Sequence, residues 1–452
     1  MKSVSHLSRR FRVVFDDAKT VPNAGLVIPL RLADRLGVVD ALDRRVGGTG
    51  RRANPNGGVK ALNLVAVLVA GGEFLSDAAV LAAGSTLPRL GYRRFSESRL
   101  GEWLRSLTEG DIGGFADALT EVTAAAWLQR LGPSLHRAPG DPLILDLDST
   151  HTETYGVAKD GAEVRNYLGK RGYHPLLGVE ASTGQVINAQ LRPGNASQAH
   201  GVAGFVADSL RRLRRLAGPA TPLLIRADSG FYVRELFDHC VASDTRFSIT
   251  VRQYPAIRKQ IAAISPDDWQ PAAQTPTRRV DVAAVDFAVK GRTDHPRPPI
   301  PCRLIVRRVT TPADTGGTQP RLFDLVDYHA FVTDQPGDPA TLWRRHTRRA
   351  VIEATIRDLK YGLALKHFPS GSMTANAAWL QLNVLAHNLC RWTNQLITPR
   401  HLTTKTLRHR YLTLPGRITT ASRTTILHLP THWPWQHHIT HALTTIPTLT
   451  AA

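Results

Sequence analysis

Three carboxylates sit in settings unlike those of ordinary surface acids. The first lies in LILDLDST, 143–150, where Leu143, Leu145 and Leu147 alternate with Ile144, Asp146 and Asp148. That alternation is the period of a strand. Acids in an otherwise apolar strand are costly unless they are paired or bound to metal. Asp146 and Asp148 point to one side of it. Asp148 is the better ligand candidate, because it lies nearer the strand end and precedes Ser-Thr, and Asp146 is the alternative. The second acid closes PLLIRADSGF, 222–231, where an apolar run ends in Asp228 before Ser229-Gly230 breaks it. A carboxylate at the carboxyl end of a strand suits an open α/β site. The third is Glu353 in RRHTRRAVIEATIRDLK, 344–360. On a helix, His346, Arg349, Glu353, Arg357 and Lys360 share one stripe, since offsets of three, four and seven return to the same side. Ile352, Ile356, Leu359 and Leu363 form a neighbouring apolar stripe.

Each feature alone has a plainer reading. A strand-end Asp commonly caps a turn, and a Glu among Arg and Lys commonly belongs to a solvated ion-pair face. The order strand-Asp, strand-Asp, helix-Glu is more specific. Asp148, Asp228 and Glu353 would supply hard oxygen ligands with no cysteine nearby, which favours Mg²⁺ or Mn²⁺ over Zn²⁺. Paired ions about 3.5–4 Å apart clamp both oxygens of an in-line phosphoryl displacement. The cations of the stripe, His346, Arg349, Arg357 and Lys360, would hold a polyanion beside them.

The composition agrees with a polyanionic partner. Among 452 residues, 57 are Lys or Arg and 37 are Asp or Glu, a net charge of +20. The sequence pI is near 10.5, and nucleic acid is the partner that such a balance implies. No acid follows Asp358, whereas Arg408, Arg410 and other cations do, together with Trp433 and Trp435. This basic tail could contact phosphates and stack on a base, or it could cap the core. His437, His438 and His441 lack a further ligand and are not read as a metal site. Cys240, Cys302 and Cys390 are far apart and odd in number, which suggests a reducing compartment. The start lacks an apolar signal core, and the run LVAVLVAGG, 64–72, is too short to span a bilayer.

The elements that must position the acids follow from the periodicity. Residues 1–135 read as mostly helical, with breaks at 54–58 and Gly91, and 96–130 as either a helix-turn-helix-like DNA reader or a plain helical bundle. Residues 140–231 read as three strands, a helix near 198–217 and a fourth strand. Residues 232–337 read as a β-rich insertion, because the interval from Asp228 to Glu353 is too long for a simple connection. A helix over 338–363 returns Glu353 to the core, 373–397 is another core helix, and 400–452 is the tail. The fold class is α/β, with a mixed-sheet core interrupted by the insertion and preceded by the helical domain.

Several motifs in order carry a resemblance: DLDST at 146–150, RGYHPLLG at 171–178, LRPGN at 191–195, RADSGF at 226–231 and NVLAHNL at 383–389. Together they resemble bacterial insertion-sequence DDE transposases with a β-rich insertion in a ribonuclease-H-like core, and most closely the insertion-sequence family numbered thirteen-eighty. That superfamily also carries Tyr-x2-Arg-x3-Glu-x6-Lys around its last acid. Arg349, Glu353 and Lys360 fit the spacing, and His346 stands where the tyrosine would be.

The resemblance implies cut-and-paste transposition with Asp148, Asp228 and Glu353 as the Mg²⁺-binding catalytic acids. Cleavage at the element end would proceed through a hairpin, followed by strand transfer; Trp343 is read as a core tryptophan first, and as a candidate to support a flipped base second. It also implies double-stranded DNA as partner, both terminal inverted repeats and target, a dimer in the active complex, and a bacterial, nucleoid-associated location in the cytoplasm. A catalytically inactive transposase-derived DNA-binding protein, or another nuclease of the fold, is the alternative.

Overall fold

The computed structural model describes residues 13–450 except 48–55, 83–87, 89–91, 134–139, 166–168, 198–199, 276, 292–296, 314–322 and 423. The expected breaks at Asn54-Pro55 and Gly91 lie outside the described residues. The first part is helical: α1 (Val27–Arg35), α2 (Val38–Arg45), α3 (Gly57–Ala70), α4 (Glu97–Ser106) and α5 (Glu109–Leu128). Ser96 caps α4 and Thr108 caps α5, the latter through a capping box with Asp111. Leu100, Trp103 and Leu104, the periodic residues of α4, are buried in the main core.

Three strands of the main sheet follow: β1 (Leu143–Ser149), β2 (Leu176–Glu180) and β3 (Val186–Gln190). They form an antiparallel meander. α6 (Val202–Ala217) crosses over, and β4 (Leu223–Ala227) then pairs with β1 in parallel. α7 (Arg234–Ala242) leads to β5 (Thr245–Val251), again parallel. Four further strands extend this sheet beyond β5: β6 (Gln270–Thr275), β7 (Arg278–Val289), β8 (Ile300–Thr311) and β9 (Leu325–Thr333). The spatial order of the mixed nine-stranded sheet is β6-β7-β8-β9-β5-β4-β1-β2-β3. The strands of 232–337 therefore continue the core sheet through antiparallel pairing of β9 with β5.

Two hydrophobic cores cover the two faces. Leu143, Leu145 and Leu147 pack with α6 and α7 in one. The alternation that buries them sends Ile144, Asp146 and Asp148 to the opposite face. On that side lie α9 (Pro339–Thr347), α10 (Ala350–Tyr361) and the long α11 (Met373–Ile397). α11 is buried along most of its length against the helical domain and the β3 edge.

The segment 338–363 is two helices, not the single one expected. The chain leaves helical geometry at Arg348, with ψ 49°. Carbonyls freed by the break are taken by Arg226, which donates to Arg345 O and, at 2.9 Å, to Arg348 O. The stripe drawn from His346 to Lys360 is thereby cut: Glu353, Arg357 and Lys360 share α10, and His346 belongs to α9.

The stretch 400–452 is built into the main core. Leu407, Tyr411, Leu412 and Leu414 are buried there, as are Ile439, Ala442, Ile446 and Leu449 of a last helical segment that includes α12 (Gln436–Thr445). Trp433 and Trp435 pack partly buried against them.

Candidate active site

The register of β1 against β4 brings two of the acids together. Asp146 stands opposite Arg226 and Leu147 opposite Ala227. The next residues, Asp148 and Asp228, therefore leave neighbouring parallel strands side by side, on one face, with about 4.8 Å between strands. Asp228 also caps the turn that ends β4, accepting from Gly230 N at 2.9 Å. Capping and site membership coexist here, since the cap uses one carboxylate oxygen.

Glu353 comes from α10, and two cations clamp that helix to the end of β1. Arg349 donates to Leu147 O at 3.0 Å, and Lys360 donates to His151 O at 2.8 Å. They bracket Glu353 on the chain and dock its helix at both ends against the strand that carries Asp148. The hydrogen bonds of Arg349 and Lys360 thus go to backbone. Arg349 Nε is buried without a partner, while Arg357, one turn beyond Glu353, is exposed.

Asp148 lies within reach of the charges of Asp228 and Glu353. The Asp148 carboxyl is pushed up to about 6. Burial is the main cause. The charges of Asp228 and Glu353 add to it, while the Ser149 N–H (2.7 Å) and Arg349 oppose it. Three carboxylates against one adjacent guanidinium leave the site short of positive charge.

A hard divalent cation would relieve that repulsion, and an all-oxygen donor set fits one. Coordination is a stricter test than electrostatic proximity, because ligand bonds are near 2 Å whereas charges act over several ångströms. Among the described residues no group of three or more His, Cys, Asp or Glu is placed to hold a metal ion. The carboxylates approach one another without closing into a coordination sphere, and Glu353 is the exposed member.

Asp146, the alternative ligand, is committed elsewhere. It is wholly buried, and both its oxygens accept from Arg226, each at 2.7 Å. A bidentate buried pair leaves little capacity for a cation. Because the same guanidinium holds the carbonyls of Arg345 and Arg348, the pair also fixes the break that aims Arg349 and Glu353.

His346, expected on the cationic stripe, is placed inside the fold instead of on an exposed face. It is buried, stacked on Phe331 with ring centroids 4.0 Å apart, and bonded to the hydroxyls of Ser248 (2.8 Å) and Thr250 (3.0 Å). Burial, with Arg349 and Arg226 nearby, lowers it to about 3, so the ring is neutral at ordinary pH. Arg408 is also spent within the fold, donating to Val69 O (2.8 Å), Leu68 O (3.1 Å) and Gly362 O (2.6 Å). Arg410 lies over the Trp435 ring at 5.2 Å. Trp343 packs half-buried beside Phe331 and Leu342. His438 accepts or donates one bond with Tyr411 at 2.8 Å, and no metal group includes it among the described residues.

Several motif residues prove to be structural. Arg192 of LRPGN is buried and bonds to His174 O, Ser197 O and His200 O. A Cβ on Gly172 would meet Thr152 O at 2.1 Å, and one on Gly194 would meet Gly172 O at 2.1 Å. These glycines let the segments around 152, 172 and 194 pack backbone to backbone behind the site. In NVLAHNL, Asn388 exchanges two hydrogen bonds with Val186 of β3, and His387 bonds to Gly184 O at 2.9 Å. No spacing rule identifies these roles, since most of the partners are distant in sequence.

A family model described as "Transposase DDE domain group 1" matches residues 5–451. Among solved structures, the chain is similar to the piggyBac transposase in a cryo-EM synaptic complex with hairpin DNA. The identity is 12%, the TM-score is 0.42, and the match covers 87% of this chain and 80% of that chain. No curated protein matches the chain.

Proposed function

The chain belongs to the group 1 DDE transposases, and from that premise we propose that it moves an insertion sequence by cut-and-paste transposition. The observation that carries the proposal is the meeting of Asp148, Asp228 and Glu353, from β1, β4 and α10, where the charges of Asp228 and Glu353 add to the burial that already raises the Asp148 carboxyl. The strand order β3-β2-β1-β4-β5, an antiparallel meander followed by two parallel strands, supports a ribonuclease-H-like core. The strands β6–β9 are then the β-rich insertion. Residues 1–135 are proposed to bind element ends.

On this reading Asp148, Asp228 and Glu353 hold Mg²⁺, or Mn²⁺. When bound, the metal supplies activation of the attacking oxygen and stabilisation of the leaving one. The protein's own part is placement. Arg349 and Lys360 fix α10 against β1, the Asp146–Arg226 pair sets the angle between α9 and α10, and Arg357 offers an unspent guanidinium to a phosphate near Glu353. A water oxygen bonds to the phosphorus at the element end as the 3′-oxygen leaves and is protonated. The freed 3′-hydroxyl attacks the opposite strand and closes a hairpin. A second hydrolysis reopens it, and the 3′-hydroxyl joins target DNA. No covalent protein intermediate is required. Two ends handled together imply a dimer in the active complex.

The test is incubation of the full chain with duplex carrying the element's terminal repeats, with and without Mg²⁺. Metal-dependent nicking and hairpin product are expected, and both should vanish in Asp148→Asn, Asp228→Asn and Glu353→Gln. Binding without cleavage by the wild type would instead identify a DNA-binding protein on this scaffold.

A further inference from the structure

Two segments leave the acids together, and they enclose a cavity of about 630 Å³. One is the continuation of β1 from His151 through Gly156 to Lys159. The other is the end of α10, Lys360-Tyr361, with the loop through Phe368, and Phe74 of the helical domain closes one side. His151 lies three residues past Asp148, and Tyr361 lies two helical turns past Glu353. The cavity thus opens beside the acids, on elements continuous with the ones that carry them.

Its lining combines exposed rings with uncompensated ammonium groups. Tyr155 is 90% exposed, Tyr361 58% and Phe74 50%. Lys159 donates to Phe368 O, Lys360 to His151 O, and Lys366 lies over the Tyr361 ring at 3.7 Å. Among the described residues no carboxylate pairs with these three lysines. Glu153, in the wall, pairs with Lys170, and Glu73 pairs with His367, each at 2.8 Å. The hydroxyl of Thr152, in the wall, is buried without a partner. Burial holds Lys159 and Lys360 below the usual lysine range.

Exposed rings, cations spaced among them and a volume within the roughly 300–1,000 Å³ of small-ligand sites match one ligand class. Its member has a flat π-face and a phosphate. A paired base in a duplex offers no free face. We propose that this cavity binds an unpaired nucleotide of single-stranded DNA, its base on Tyr155 or Tyr361 and its phosphate among Lys159, Lys360 and Lys366. The proposal rests on the DNA-processing reading above, and it locates where a strand freed from its complement is held.

The experiment compares a fluorescein-labelled ten-residue oligothymidylate with a blunt duplex by anisotropy, in EDTA so that nothing is cleaved. Wild type is expected to bind both. The Tyr155→Ala/Tyr361→Ala variant should bind oligothymidylate roughly tenfold or more weakly, as the loss of a stacked base predicts, with duplex affinity within about twofold. Tyr155→Phe/Tyr361→Phe, which keeps the rings, should restore single-strand binding. Equal oligothymidylate affinity in wild type and a normally melting alanine variant would overturn the site, as would parallel loss of duplex and single-strand binding. Glu353→Gln separates the two readings. If wild type cleaves ends but the alanine variant keeps its single-strand affinity, the cavity proposal falls and the catalytic one stands. If wild type fails to cleave while the single-strand preference is lost only in the alanine variant and kept in Glu353→Gln, the reverse holds.

Discussion

Asp146 and Asp148 are two residues apart on one strand and face the same way, yet their surroundings are opposite. Asp146 is sealed off with a guanidinium on both its oxygens. Asp148, at the strand end, has one backbone N–H and two acidic neighbours. The difference follows from the partner strand: β4 places Arg226 opposite the first acid and runs out into Asp228 beside the second. Two residues of strand register thus separate an acid that builds the fold from an acid whose charge is left unspent for a ligand.

The sharpest way to break the comparison is to exchange the consequences. Asp148→Asn, Asp228→Asn and Glu353→Gln should each reduce end cleavage by several orders of magnitude while the protein still folds. Asp146→Asn or Arg226→Met should instead cost about 3–5 kcal/mol of stability, because each leaves a buried charge unpaired. Denaturant melts and cleavage rates on the same preparations check both. A stable, inactive Asp146 variant would reverse the assignment.

A smaller effect concerns pH. The Asp148 carboxyl is raised from its ordinary value to about 6. The folded state therefore binds more protons than the unfolded state between about 4 and 6, and stability from this group falls as pH rises through that window. Without metal, Asp148→Asn should be more stable than wild type at pH 7.5, and the advantage should fade below pH 4. Added Mg²⁺ should raise the wild-type melting temperature and leave the variant's unchanged. His346 has the opposite sign. Its folded value is about 3, so the unfolded state takes up the proton first, and stability falls as pH drops from about 6.5 toward 3. His346→Gln should flatten that decline in acid melts.

How much of this was legible in the sequence depends on whether the cause was local. β1 and β4 were legible because alternation and an apolar run are written in consecutive residues, and α11 because its apolar pattern runs unbroken from Met373 to Ile397. β6 was not, since Gln270–Thr275 lies at the sheet edge, mostly exposed and without pattern. The choice between Asp146 and Asp148 stayed open because both share a face, and the residue that decides it, Arg226, is 80 positions away. The same arginine holds the break at Arg348, so the helix drawn through 338–363 failed for a tertiary reason. His346 kept its place in the spacing but lost its face once that helix divided.

The smallest effect extends the contrast from acids to cations. Arg408 and Arg357 both looked like phosphate contacts, but Arg408 holds three backbone carbonyls joining α3 to the turn after α10. Arg408→Ala should therefore destabilise the fold, and removing 400–452, which strips Leu407, Tyr411 and Leu412 from the core, should unfold it. Arg357 is exposed on the helix of Glu353, with no such structural duty to lose. Arg357→Ala should melt like wild type and bind end-containing duplex more weakly. On a plot of log affinity against log salt, its slope should be shallower by about 0.9, the release expected for one phosphate contact on duplex DNA. An unchanged slope for Arg357→Ala would mean that exposure beside the acids is not enough to mark a DNA contact, and that the unspent charges of this site end with the carboxylates.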